Sequence, residues 1–234
     1  MNENGNDRRD FLRMAGAMGV GLVLPTGLGS SEAAENLDPD KGVTASEDLM
    51  KEHGVLNRCL LIYEAGIQRL RNKEEVSPQV FNHTAALIRS FVEEYHEKNE
   101  EEYIFPVFEQ HKKLVGLVET LKAQHIAGRK VTAQVLHFSA PTQFRSAENR
   151  AHLIASCESF IRMYRPHESR EDTVLFPALR TILTPNQVTA LGDKMEGDEH
   201  KVLGDEGFEK SVAQVESIEK ALGIYDIKQF TPKV

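Results

Sequence analysis

Residues 96–106 read HEKNEEEYIFP, and residues 167–177 read HESREDTVLFP. Each stretch opens with a His-x-x-x-Glu pair, His96 with Glu100 and His167 with Glu171, and closes on Phe-Pro. On an α-helix such a pair lies one turn apart on one face, with Cβ atoms about 6 Å from each other. Both side chains then reach a common point. The residues upstream supply the helix. Phe81, Ala85, Ile88 and Val92 lead into the first pair at three- and four-residue steps, and Leu153, Cys157, Phe160 and Tyr164 lead into the second. That is the period of an amphipathic helix, and each pair extends the apolar stripe rather than the polar face.

Outward from these stretches the same period recurs. A first helix is expected over about 46–72, with Ser46 as N-cap and a face of Leu49, Leu56, Leu60, Tyr63, Ile67 and Leu70. The second starts at Ser77-Pro78, carries Tyr103 and Val107 further along its face, and is kinked or ended by Pro106. A third covers roughly 113–138 with Leu114, Val118, Leu121 and Val135 in line, and residues 139–146 read as a loop. The fourth runs 147–182, with Val174 in its stripe and Pro166 and Pro177 perturbing it. Thr184-Pro185 opens a fifth helix, 185–205, whose stripe is Val188, Leu191, Met195 and Val202. A last helical stretch, 208–222, carries Val212, Val215, Ile218 and Leu222. No alternating strand pattern occurs. The expected fold is all-α: an antiparallel up-down-up-down four-helix bundle over 46–205, followed by a C-terminal helical extension over 206–234.

Two further histidines fall on the apolar stripes. His53 lies between Leu49 and Leu56, and His125 lies four residues after Leu121. With the two pairs, six ionisable side chains point at the core, and each of the four helices supplies at least one. A lone buried charge costs several kcal/mol unless something compensates it. No Lys or Arg interrupts these rows at that level, so a metal cation is the simplest compensation. Neutral imidazole and carboxylate are its usual nitrogen and oxygen ligands. The register is duplicated as well: His53 precedes His96 by 43 residues, and His125 precedes His167 by 42. The chain reads as two helical hairpins, each giving one His and then a His-x-x-x-Glu pair. Two-fold placement of this kind inside a bundle is how dinuclear carboxylate sites are built.

In these residues, His53, His96-x-x-x-Glu100, His125 and His167-x-x-x-Glu171 with Phe-Pro after each pair, the sequence resembles the hemerythrin-like (HHE cation-binding) family. The resemblance spans about 46–205. It implies a non-haem centre of two iron ions, with the four histidines as terminal ligands and Glu100 and Glu171 as bridges. Manganese and zinc suit the same donors. The family's oxygen carriers use five histidines and a His-x-x-x-x-Asp pair on the last helix. Here Glu171 stands in a His-x-x-x-Glu pair and Asp172 is a less symmetric substitute, a departure that argues against reversible oxygen carriage.

The remaining signals frame this reading. Residues 8–13 read RRDFLR and precede an apolar, Gly-rich run from Met14 to Leu28. The RRxFL core resembles a twin-arginine signal, so residues 1–33 are expected to be a signal peptide and 34–45 a disordered lead-in. The protein is then exported to the periplasm or cell envelope, with no transmembrane span in the mature chain. A formal charge of −8, with no basic stripe after residue 15, argues against a nucleic-acid partner. Two cysteines, Cys59 and Cys157, fit either a single bridge or two buried thiols. His83, His111, His137 and His152 have no duplicated counterpart and read as surface or loop residues. His200 lies off its helix's stripe, yet its context echoes 51–56, so it is retained as a candidate extra ligand. Tyr95 and Tyr164 either hydrogen-bond the centre or pack the core. Glu97 and Asp172 adjoin the candidate ligands, and solvated helix faces explain them as well. The expected function is binding or sensing of small oxidants such as dioxygen, peroxide or nitric oxide. The alternatives are a peroxide- or NO-consuming oxidoreductase, or a metal store or sensor.

Overall fold

The computed structural model describes residues 44–234, so the expected signal peptide and nearly all of the lead-in lie outside the described residues. The described residues form helices joined by short connections, with no strand among them. Helix α1 is Ala45–Arg71. Its N-cap is Thr44, not the expected Ser46. Thr44 Oγ1 accepts from the Glu47 amide, and the Glu47 carboxylate accepts back from the Thr44 amide at 2.9 Å. Ser46 has Leu49 three residues on and cannot form this reciprocal box, so the helix starts two residues earlier.

Helix α2 covers 78–110 and is not a regular α-helix. It opens as Pro78–Leu87 behind the Ser77 cap and widens to a π-helix over Ile88–His96. One α turn follows (Glu97–Asn99), then a second π stretch (Glu100–Ile104), and the helix ends as Phe105–Gln110. Helix α3 is Val115–Phe138. Helix α4 covers 147–182: α over Ala147–Arg170, π over Glu171–Leu175, α again over Phe176–Ile182. Helix α5 is Pro185–Val202 and α6 is Gly207–Leu222, followed by a 3₁₀ turn at Ile227–Phe230.

The π turns show how Pro106 and Pro177 are accommodated, and they correct two expected stripes. Pro106 does not end α2, because the amide before it, on Phe105, already bonds back five residues to Glu100. The wider turn relieves the clash that a proline ring meets in an α-helix. Pro177 follows the Phe176-to-Glu171 bond in the same way. Each π turn also shifts the phase of the stripe beyond it. Ile104, Phe105 and Phe108 are buried where Tyr103 and Val107 were expected, and Leu175 is buried where Val174 was expected. Leu114 is a separate correction: it sits in the left-handed region (φ 51°) just before α3 and is exposed. Val202 is exposed too, at the frayed end of α5.

Helix α1 packs along α2 and α4, and α3 packs along the same two. Helix α5 lies on α1 and the first π stretch of α2, and α6 lies on α1 and the start of α2. Val215, Ile218 and Leu222 of α6 are buried in the same apolar cluster as Leu56, Tyr63, Phe81 and Phe160, so the C-terminal segment is part of the core. A second cluster joins Leu49, Phe105, Leu121, Phe176, Leu179 and Met195. On each of α1 to α4 a layer of His and Glu separates residues of one cluster from residues of the other. Among the described residues no helix is long and apolar enough to cross a membrane.

Candidate metal centre

All six expected residues meet in that polar layer. His53, His96, His125 and His167 are nearly inaccessible, and Glu100 and Glu171 are 0% exposed. Their donor atoms fall into two overlapping groups, His53 with His96 and Glu100, and Glu100 with His125, His167 and Glu171. The atoms of each group lie within 4.8 Å of one another. The histidines meet in pairs through Nε2: His53 and His96 at 3.1 Å, His125 and His167 at 3.3 Å. The glutamates span the pairs. Glu171 approaches His53 Nε2 at 3.4 Å with one oxygen and His167 Nε2 at 3.2 Å with the other. Glu100 Oε2 lies 3.7 Å from His96 Nε2 and 3.4 Å from His125 Nε2.

Each imidazole is oriented from behind. The Nδ1–H of His53 donates to Asp172 (2.7 Å), that of His96 to Glu52 (2.8 Å), that of His125 to Glu101 (3.2 Å) and that of His167 to Gln124 (2.9 Å). Each partner is an oxygen acceptor, so the proton sits on Nδ1 and the Nε2 lone pair faces inward. Outer hydrogen bonds of this kind fix the tautomer and raise the basicity of metal-ligating histidines. The duplication extends to them. The residue before the first His of each half, Glu52 or Gln124, holds the second His of that half. The residue after each Glu, Glu101 or Asp172, holds the first His of the other half. Sequence reasoning passed over Glu52, Glu101 and Gln124 and left Asp172 between a substitute ligand and a solvated helix face. Their adjacency to the candidate ligands in both halves was the available signal.

The inner carboxylates decide what the layer can hold. Neither oxygen of Glu100 nor of Glu171 has a hydrogen-bond donor. In the neutral rings the facing nitrogens are the deprotonated sides. A buried carboxylate without donors or cation costs several kcal/mol. Burial and the charge of Glu171 push the Glu100 carboxyl well above its ordinary range. Burial raises Glu171 as well, but His167 and His53 outweigh it and hold that carboxyl low. Burial lowers His96 and brings His125 down to about 4, which keeps those rings neutral. Burial also disfavours charge on His53, but the carboxylates of Asp172 and Glu171 beside it override this and raise it. Four inward imidazole lone pairs and four undonated carboxylate oxygens suit metal cations, which satisfy every one of these atoms together.

Apolar and polar neighbours close the layer. Phe105 and Phe176, the aromatic residues of the two Phe-Pro pairs, lie against His125 and His53 with ring centroids 5.4 and 5.7 Å apart. Tyr164 donates to Glu97 at 2.6 Å, and Arg129 pairs with Glu97 and Glu101 at 2.8 and 2.7 Å. The phenol runs across α3 at Gly128, where a Cβ would lie 2.0 Å from the hydroxyl. Burial drives Glu97 up to about 8. Glu168 is its counterpart beside His167; it accepts from Asn57 and is likewise driven by burial to about 8. Tyr95 donates to Glu52 at 3.1 Å. The other histidines stand apart. His83, His111, His137 and His152 are exposed, as is His200, which faces Asp205 at 3.5 Å and is not in the site. Cys59 and Cys157 are buried free thiols whose pKa values burial raises.

The comparisons with known proteins agree with this geometry. The model of the hemerythrin HHE cation-binding domain matches residues 44–179. Relatives from Mycobacterium tuberculosis (strains H37Rv and CDC 1551 / Oshkosh) and from Mycobacterium bovis are each 44% identical over 190 residues. The match covers 81% of this chain and 74% of theirs, and all three are described only as uncharacterized proteins. No solved structure matches the chain. The chain belongs to the hemerythrin HHE cation-binding family, and its buried His and Glu layer is the candidate metal site.

Proposed function

We propose that this chain is an exported non-haem di-iron protein that binds or senses small oxidants such as dioxygen, peroxide or nitric oxide. The observation that carries the proposal is the set of undonated oxygens on Glu100 and Glu171, each carboxylate spanning two pairs of inward-facing histidines. That arrangement fits His53 and His96 on one ion, His125 and His167 on the other, and the two glutamates as bridges. It also supports an up-down-up-down order for α1 to α4. One apolar cluster takes the start of α1, the end of α2, the start of α3 and the end of α4, as chain direction alternating along the series requires. Two ferrous ions in such a set supply one-electron chemistry and open coordination positions for a small ligand. The chain's own residues orient the imidazoles through their Nδ1 partners and exclude water with Phe105, Phe176 and Leu121. Export rests on Arg8 and Arg9. Replacing both by Lys is expected to stop export of a fused reporter, and unchanged export would remove the twin-arginine reading.

The experiment that tests the centre is elemental analysis of the anaerobically purified chain, with an optical spectrum before and after exposure to air. Close to two irons per chain, with visible absorption that changes on oxidation, supports the proposal. Stoichiometric zinc with no such absorption leaves a structural or storage site. Multiple turnovers with excess peroxide or nitric oxide would instead make the chain an oxidoreductase, the second reading of the same site.

A further inference from the structure

The two halves of the duplication are not wired alike, and the difference leads out of the site. In the second half, Gln124 holds His167 and receives no tyrosine, and the nearby Tyr164–Glu97 bond ends at Arg129 on the partly exposed side of α3. In the first half, Glu52 stands in place of Gln124. Its Oε2 accepts from His96 Nδ1 at 2.8 Å and its Oε1 from the Tyr95 hydroxyl at 3.1 Å. The same hydroxyl lies 3.5 Å from Glu199 Oε2 on α5, and Glu199 Oε1 accepts from the backbone amide of Phe208 at 2.8 Å. Glu52, Tyr95, His96 and Glu199 are all buried.

The far end of this chain of bonds is the beginning of α6. Helix α6 lacks a side-chain cap of its own: the residue at its N-cap is Glu206, in the left-handed region at φ 56°. The amide of Phe208, the second residue of the helix, is capped instead by Glu199 from the preceding helix. An acceptor there satisfies an orphan donor and its negative charge suits the helix dipole. The turn is closed tightly around that contact. A Cβ on Gly207 would lie 2.5 Å from Leu203 Cβ and 3.2 Å from Glu199 Oε1. What α6 does from there is cover α1 and the start of α2 with Val215, Ile218 and Leu222.

We propose that the turn between α5 and α6 reads metal occupancy at His96 through the relay Glu52–Tyr95–Glu199. The inference rests on the metal reading above and adds its regulation. A cation on Nε2 fixes the His96 ring. The fixed ring positions Glu52, the Tyr95 hydroxyl bridges Glu52 and Glu199 by sharing its one proton between the two carboxylates, and Glu199 keeps the first turn of α6 closed. Without the cation the ring is free to shift, and the cap on Phe208 weakens. Coupling between such sites is commonly 5- to 150-fold.

The test is hydrogen–deuterium exchange with mass-spectrometric readout on the full chain, kept anaerobic, with ferrous iron or after chelation, and with bound iron measured in each sample. Peptides covering 203–210 are expected to exchange about tenfold more slowly with iron, beyond any slowing at 130–138 in α3, which reports global stability. Tyr95→Phe keeps the ring and, compared at saturating iron with bound iron measured, is expected to lose that excess. Glu199→Ala, which removes the cap itself, is expected to leave 203–210 equally open in both states. Bound iron with no excess protection at 203–210 overturns this inference alone, as does an undiminished excess in both variants. A chain that takes up no iron overturns the metal reading and this inference with it.

Discussion

Glu100 shows most plainly how one residue divides stability from function. Its carboxylate is fully buried, has no hydrogen-bond donor and faces another carboxylate. In the metal-free chain this arrangement is destabilising, because a proton has to be kept on the group or a charge kept in the core. Glu100→Gln removes that cost and is expected to stabilise the metal-free chain by about 1–3 kcal/mol in chemical denaturation, while metal uptake falls. A less stable metal-free variant would show that Glu100 is satisfied in some other way. Glu52 acts at one remove, through the Nδ1–H of His96. Glu52→Ala is expected to weaken metal affinity by roughly 10- to 100-fold, read by competition with a chelator. An unchanged affinity would mean that the His96 ring is positioned by packing alone.

At the scale of the element, the π turns and Gly128 carry the argument. Two of the three π stretches start on a candidate bridging glutamate, Glu100 in α2 and Glu171 in α4, and the third ends on His96. Such bulges, common at functional sites, place two side chains where a regular helix would place one. Gly128 lies inside α3, where glycine costs a helix about 1 kcal/mol relative to alanine. The reason for keeping it is the Tyr164 hydroxyl, which passes over the glycine to reach Glu97. Gly128→Ala therefore gains helix propensity and still is expected to destabilise the chain by about 1–3 kcal/mol, because the ring has to leave its place. A thermal melt showing stabilisation would mean that Tyr164 swings aside freely.

For the whole molecule, the polar layer sits between two apolar clusters, and six helices share the burial. Metal that binds only the folded chain stabilises it by mass action. At about 100-fold excess over Kd the melting temperature is expected to rise by roughly 5–10 °C, measured by calorimetry with and without chelator. No shift would mean that the layer binds no cation tightly. The C-terminal segment belongs to the same cooperative unit. Truncation after residue 206 uncovers the apolar surface that Val215, Ile218 and Leu222 occupy on α1 and α2. It is expected to yield an aggregation-prone chain with a lower midpoint, whereas an unchanged midpoint would make α6 a detachable appendage.

The amino-acid sequence by itself determined the helical class, the bounds of α1, α3 and α4 to within about two residues, and the meeting of His53, His96, Glu100, His125, His167 and Glu171. Helical period and ligand spacing are local properties, and a duplicated local pattern is readable without coordinates. The π turns were not readable, because their extra residue is set by packing and by the prolines beyond them, and they moved the buried stripe to Ile104, Phe108 and Leu175. The acceptors behind the histidines were not readable either. Glu52, Glu101, Gln124 and Asp172 look like ordinary polar neighbours until another helix brings an Nδ1–H to each. Nor did periodicity distinguish an appended α6 from one buried in the core, since an amphipathic face shows that it needs a partner but not which one. Tertiary structure decided these points because each depends on contacts between residues far apart in the chain.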